Sequence, residues 1–190
     1  MNWRQAPSGA LASVTPMRRA LVLATLLMFP ACTPDNALGG SLGEVIDLTV
    51  TEVIAYRNTE ALQLLYTHNR GVFLDIVIRV TISLQTQADD GTITSVEPEP
   101  GTRILLGGDW RPGNPRTTVA HAPGGEPIRN LPRIRAGDLQ ISRGGKSGAL
   151  TSGSFSMRFE DSGGDIGFGR TLNSNFIANQ TRDAGFGELP

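Results

Sequence analysis

Val72 to Gln85 reads VFLDIVIRVTISLQ, and its apolar residues Val72, Leu74, Ile76, Ile78, Val80, Ile82 and Leu84 return at every second position. Side chains alternate faces along an extended chain, so this spacing puts all seven on one side of a strand, whereas a helix would scatter them. The opposite side carries Asp75, Arg79, Thr81, Ser83 and Gln85. One apolar and one polar face describe a strand in an antiparallel sheet with one side on a core.

The reading extends in both directions. Upstream, Leu62, Leu64 and Tyr66 share a face in Glu60 to His68, and Asn69-Arg70-Gly71 is a turn signal, predicting a hairpin into the long strand. Val45 to Arg57 is also β-rich, but Ile46, Leu48 and Val50 fall out of phase with Val53, which predicts a bulge near Thr51 or Glu52. Arg57-Asn58-Thr59 turns this segment onto the next, so a three-stranded meander is expected from about Val45 to Gln85, ending at Asp89-Asp90-Gly91. From Glu97 to Gly137 seven prolines leave room only for short strands, at Thr102 to Leu106 and Arg116 to His121. Alternation returns in Leu139 to Ser142, Gly153 to Glu160 and Thr171 to Ala178.

Seven or eight short strands separated by Gly, Pro and Asp turns predict an all-β fold, an antiparallel β-sandwich. The strand count also fits an immunoglobulin-like architecture, although the cysteine pair and core tryptophan of true immunoglobulin domains are absent. The domain is expected over 44–178, with 179–190 a flexible tail.

A different texture precedes it. Arg18 and Arg19 supply a positive n-region, Ala20 to Phe29 an apolar stretch interrupted only by Thr25, and Pro30-Ala31 leads to Cys32, the only cysteine in 190 residues. The apolar run is about half the roughly 20 residues that a membrane-spanning helix needs, so 17–31 reads as a cleaved export signal, helical in form. Residues 1–16 lie before Met17, which already opens a complete signal, and are read as an extension from a mis-assigned start. FPAC at Phe29 to Cys32 resembles the lipobox of bacterial lipoproteins, with Ala31 and Cys32 matching and Phe29 and Pro30 standing where Leu and then Ala or Ser are usual. The resemblance implies a lipid anchor on Cys32. It also implies a cell-envelope location, and Thr33 after the cysteine, rather than Asp, favours the outer membrane of a two-membrane bacterium. Thr33 to Gly43 (TPDNALGGSLG) is small, polar and glycine-rich, so 32–43 is expected to be a flexible lipidated tether.

Cleavage before Cys32 leaves 159 residues, enough for one domain. Loss of Arg4, Arg18 and Arg19 takes 17 basic residues to 14 against 18 acidic, a formal charge of −4 that argues against nucleic acid as partner. With Cys32 acylated no thiol remains for a disulfide.

Motifs for chemistry fail on spacing. His68 and His121 have no second His or Cys at ligand distance, so no metal is expected. Arg143 to Gly148 (RGGKSG) contains Gly-Lys-Ser but has Gln140 where a phosphate loop needs glycine. Asp161 to Asp165 offers too few oxygens at alternate positions for a strong calcium site. No nucleophile elbow is present, and no cofactor is expected. His68 reads as a strand-end residue at the core's rim. The remaining candidates are Asp109, Trp110 and Arg111 in one loop, where tryptophan stacks and arginine pairs with anions, and His121 before a Pro-Gly-Gly turn. The expectation is a non-catalytic envelope lipoprotein whose β domain binds or supports an envelope protein or glycan. The alternatives are an envelope hydrolase and a calcium- or glycan-binding module using Asp109 to Arg111, His121 and Asp161 to Asp165.

Overall fold

The structure is a computed structural model that describes residues 36–70, 73–124, 126–144, 146, 148–164, 166, 169–179 and 181–183. The signal segment, Cys32 and the glycine of the Asn69-Arg70-Gly71 turn lie outside the described residues. Among those described, no helix is long and apolar enough to cross a membrane.

Among the described residues fifteen strand segments follow one another: β1 (Ala37–Gly39), β2 (Glu52–Arg57), β3 (Ala61–Arg70), β4 (Phe73–Ser83), β5 (Gln85–Gln87), β6 (Ile93–Ser95), β7 (Arg103–Leu105), β8 (Asp109–Arg111), β9 (Asn114–Pro115), β10 (Thr117–Ala122), β11 (Arg129–Asn130), β12 (Ile134–Arg143), β13 (Thr151–Phe159), β14 (Thr171–Ala178) and β15 (Thr181–Asp183). They build a five-stranded sheet in the order β1-β14-β13-β12-β7 and a six-stranded sheet in the order β11-β10-β4-β3-β2-β15, with β5-β6 and β8-β9 as separate hairpins. The sheets face each other across one core, to which β12, β13 and β14 bring Leu139, Phe155, Phe159 and Phe176 and β3 and β4 bring Leu62, Leu64, Tyr66, Val80 and Ile82. The fold is an all-β sandwich, and the expected meander is present as β2-β3-β4 with antiparallel pairing. Asn58 closes its first turn, its Oδ1 accepting from the main-chain N–H groups of Glu60 and Ala61, both at 2.8 Å.

The alternation in β4 breaks once. Ile78 pairs with Tyr66 but Ile76 pairs with Thr67, and on the other side Arg79 pairs with Ala120 but Ile76 with Ala122, so Val77 is an extra residue against both neighbours. Beyond this β-bulge the faces exchange. Asp75, expected on the wet face, is 7% exposed and Val77 joins the core, while Ile76 is only part-buried.

The bulge expected near Thr51 is absent, and the strand starts at Glu52 instead of Val45. Asp47 Oδ1 accepts from the main-chain N–H and the hydroxyl of Thr49, at 3.0 and 2.7 Å, forming a local turn that takes Val45 to Val50 off the sheet.

Both ends of the domain are longer than expected. In place of a free tether, Ala37–Gly39 pairs with β14, Ser41–Glu44 forms a 3₁₀ turn, and Leu42 is fully buried. Ser41 and Thr171 exchange hydrogen bonds, and Arg170 Nη1 reaches the Ser41 carbonyl at 2.9 Å and Glu44 at 2.8 Å. At the other end, Thr181–Asp183, expected in a loose tail, lies parallel to β2. β12 also begins earlier than Leu139, at Ile134.

Candidate functional site

The sequence from Asp109 to Arg116, DWRPGNPR, folds into the β8-β9 hairpin. Pro112 presets the first turn position, and Gly113, at φ 79°, takes the left-handed position that follows proline in a type II turn. Asp109 holds the hairpin from within. Its Oδ2 accepts from the Gly113 N–H at 3.1 Å, and its Oδ1 is ion-paired with Arg133 Nη2. Arg116 N–H donates to the Gly108 carbonyl at 2.9 Å, and its own carbonyl accepts from Ser83 N–H at 2.8 Å, which fastens the hairpin to the end of β4.

Between this hairpin and the outer face of the six-stranded sheet lies a groove of about 590 Å³. That volume is within the roughly 300–1,000 Å³ usual for small-ligand sites. Its floor comes from outward-facing Thr81, Ser83 and Thr118, the residues alternating with core-facing Val80, Ile82 and Val119. Its wall comes from Trp110, Arg111, Asn114 and Arg116, with Glu60, Gln85 and Ile93 at the margins. The Arg111 guanidinium carbon sits 4.6 Å from the centre of the Trp110 ring, a cation–π contact that holds the pair as one surface. Arg116 Nη2 donates to Thr86 Oγ1 at 2.8 Å, and burial lowers the pKa of its guanidinium from the ordinary arginine value.

His121 does not join this groove. It lines a second pocket of about 170 Å³ at the sandwich rim, closed by Val45 to Thr49, and shares it with His68, Asp47 and Asp75. The β-bulge makes this arrangement: it turns Asp75 inward and presents the Val77 carbonyl, which accepts a 2.6 Å hydrogen bond from His121 Nδ1. A carbonyl only accepts, so Nδ1 carries the proton. Among the described residues, His68 Nδ1 is buried without a hydrogen-bond partner. Among the described residues no group of three or more His, Cys, Asp and Glu side chains could hold a metal ion. Asp161 follows β13, and Asp165 lies outside the described residues.

Of the candidates read from sequence, Trp110 and Arg111 therefore line one groove, Asp109 braces the hairpin that carries them, and His121 sits elsewhere with His68. Sequence reasoning missed Arg116, although DWRPGNPR carries its signal, an arginine on either side of one Pro-Gly turn. It also missed Thr81, Ser83 and Thr118, which read only as a polar strand face. No protein-family model matches the chain, and no curated protein or solved structure is significantly similar to it.

Proposed function

We propose that the protein is a lipid-anchored, non-catalytic binding protein of the cell envelope that takes its ligand in the groove beneath the β8-β9 hairpin. The observation that carries the binding role is that groove: an aromatic ring, two guanidinium groups and a floor of hydroxyls meet in a ligand-sized concavity on a braced hairpin. The anchor rests on Met17 to Cys32, with its arginines, apolar run and single cysteine. In this reading Cys32 holds the domain at the membrane, in the outer membrane of a two-membrane bacterium, and the partner is an envelope glycan or protein.

Mass spectrometry of the N-terminal peptide from membrane-extracted protein tests the anchor. Acylated Cys32 is expected, with Cys32→Ala shifting the protein out of the membrane fraction, and an unmodified Cys32 overturns it. Photo-crosslinking from position 114 tests the groove. Adducts with envelope material should disappear in Trp110→Ala, and adducts that persist unchanged place binding elsewhere.

A second reading, an envelope hydrolase, draws on the convergence of His121, His68, Asp47 and Asp75 in the rim pocket. His121 donates its Nδ1–H to the Val77 carbonyl, which leaves Nε2 as the one ring nitrogen that could act as a base.

A further inference from the structure

The arginines of this domain are not all treated alike. Arg57, Arg103, Arg129, Arg133 and Arg170 each meet a carboxylate. Arg111 and Arg116, the two that line the groove, meet none among the described residues: the first lies over Trp110 and the second bonds a neutral hydroxyl. Asp109, adjacent to both Trp110 and the hairpin turn, is already engaged by Arg133 and Gly113. Glu60 is the only carboxylate lining the groove among the described residues, so its lining carries an excess of one positive charge in a chain of negative net charge.

The Arg116 guanidinium, part-buried without a counter-charge, loses solvation and recovers only part of it from one hydroxyl, whereas Arg111 is exposed. The lowering of the Arg116 pKa by burial has the same origin. An anionic ligand group arriving between Arg111 and Arg116 would restore that loss through charge-assisted hydrogen bonds, for which the planar guanidinium fork is suited. The rest of the lining states what else the ligand carries. Thr81, Ser83, Thr118 and Asn114 offer hydroxyls and an amide to polar groups distributed over a ring, and Trp110 offers a flat apolar surface. The floor belongs to β4 and β10: β4 is paired with β3 on one side and β10 on the other, whereas β10 pairs with β11 only at Ala120 and His121. The volume is several times that of one small ring.

We infer that the groove is a site for an acidic saccharide, its carboxylate received by Arg111 and Arg116 and its sugar rings by Trp110 and the hydroxyl floor. This rests on the binding role proposed above and adds the ligand's chemical class.

The test is calorimetric titration of the full chain, extracted from membranes in neutral detergent, with tri-galacturonate and separately with its uncharged counterpart, tri-galactose. The acidic trisaccharide should bind at least about tenfold more tightly, the scale of one charge-assisted hydrogen bond. Arg111→Gln and Arg116→Gln should each remove most of that preference with the thermal transition retained. Arg111, exposed and free of strand hydrogen bonds through its side chain, serves as the control if Arg116→Gln folds poorly. Equal affinity for the two trisaccharides, or a preference that survives Arg111→Gln, overturns the acidic class and leaves the groove a neutral-sugar site. Binding of a glutamate-rich peptide in place of either sugar overturns the saccharide assignment while keeping the anion site. If none of the three probes binds, the inference fails, whereas the crosslinking result from position 114 still decides the binding role.

Discussion

Tyr66 Oη donates a 3.0 Å hydrogen bond to Ser174 Oγ, tying β3 of one sheet to β14 of the other inside the core. Ser174 passes its own proton on to the Asn175 carbonyl at 3.2 Å, and the Tyr66 ring meets Phe155 edge-on, 6.1 Å between centres at 85°. This is a polar link where the surroundings are apolar, so its two ends are not equivalent to mutation.

Removing the tyrosine hydroxyl leaves Ser174 still donating to Asn175, whereas removing the serine hydroxyl strands a buried phenol O–H. Tyr66→Phe should therefore cost about 1 kcal/mol and Ser174→Ala about 1–3 kcal/mol. Urea denaturation of both variants measures the order, and a larger loss for Tyr66→Phe would contradict this account of the link.

Burial also pushes the Tyr66 hydroxyl well above the ordinary tyrosine range, against a smaller opposing effect of the Ser174 bond. The folded state thus holds this proton more tightly than the unfolded chain, whose tyrosines titrate near about 10. The stability this supplies is complete below that pH and falls as pH rises above it. Thermal transitions from pH 8 to 11 should decline less in Tyr66→Phe than in wild type, and parallel curves would remove Tyr66 as the cause.

Leu42 lies in a stretch whose composition reads as a linker, yet it is fully buried. Leu42→Ala should cost about 2–5 kcal/mol, as for any enclosed leucine. Exposed Leu105 is the comparison, because Leu105→Ala should change stability by less than about 0.5 kcal/mol. Similar denaturation midpoints for the two variants would show that the Ser41–Glu44 turn contributes nothing to the fold.

Gly153 sits inside β13 where a β-carbon would stand 2.2 Å from the Gln140 carbonyl oxygen and 3.1 Å from the Phe176 ring. The first contact is main chain of a paired strand and cannot swing aside. Gly153→Ala should destabilise by about 1–3 kcal/mol through overpacking, despite alanine's better strand propensity. A neutral or stabilised variant in a thermal melt would mean that β12 and β13 are less closely held than this.

What could be read from the chain alone depends on how far each signal travels. The faces of β3, β13 and β14 were legible because two-residue alternation is a local property, whereas Asp109, Trp110 and Arg111 read as a loop because the strands of their hairpin, three and two residues long, are too short to show alternation. The Val77 bulge was not, since nothing in IVIRV distinguishes the extra residue until Thr67 and Ala122 set the register from either side. β1 and β15 were missed for a related reason: each is three residues long and is a strand only because β14 or β2 offers it an edge. Arg116 could be seen as a charge but not as a groove residue, because the floor opposite it comes from β4 and β10. The meeting of His68 with His121 likewise needs both strands in one sheet.

The ordered position of Asn36 limits how far the domain can stand from a membrane. If Cys32 carries the lipid, four residue steps separate the acylated atom from the first strand's flank, and even a fully stretched chain covers only about 14 Å over that length. Under that condition the first strand would stay within about 14 Å of its anchor, in place of roaming on a leash. Its groove is built on the sheet opposite the one that receives the chain, so both layers of the sandwich would separate the ligand from the strand nearest the anchor.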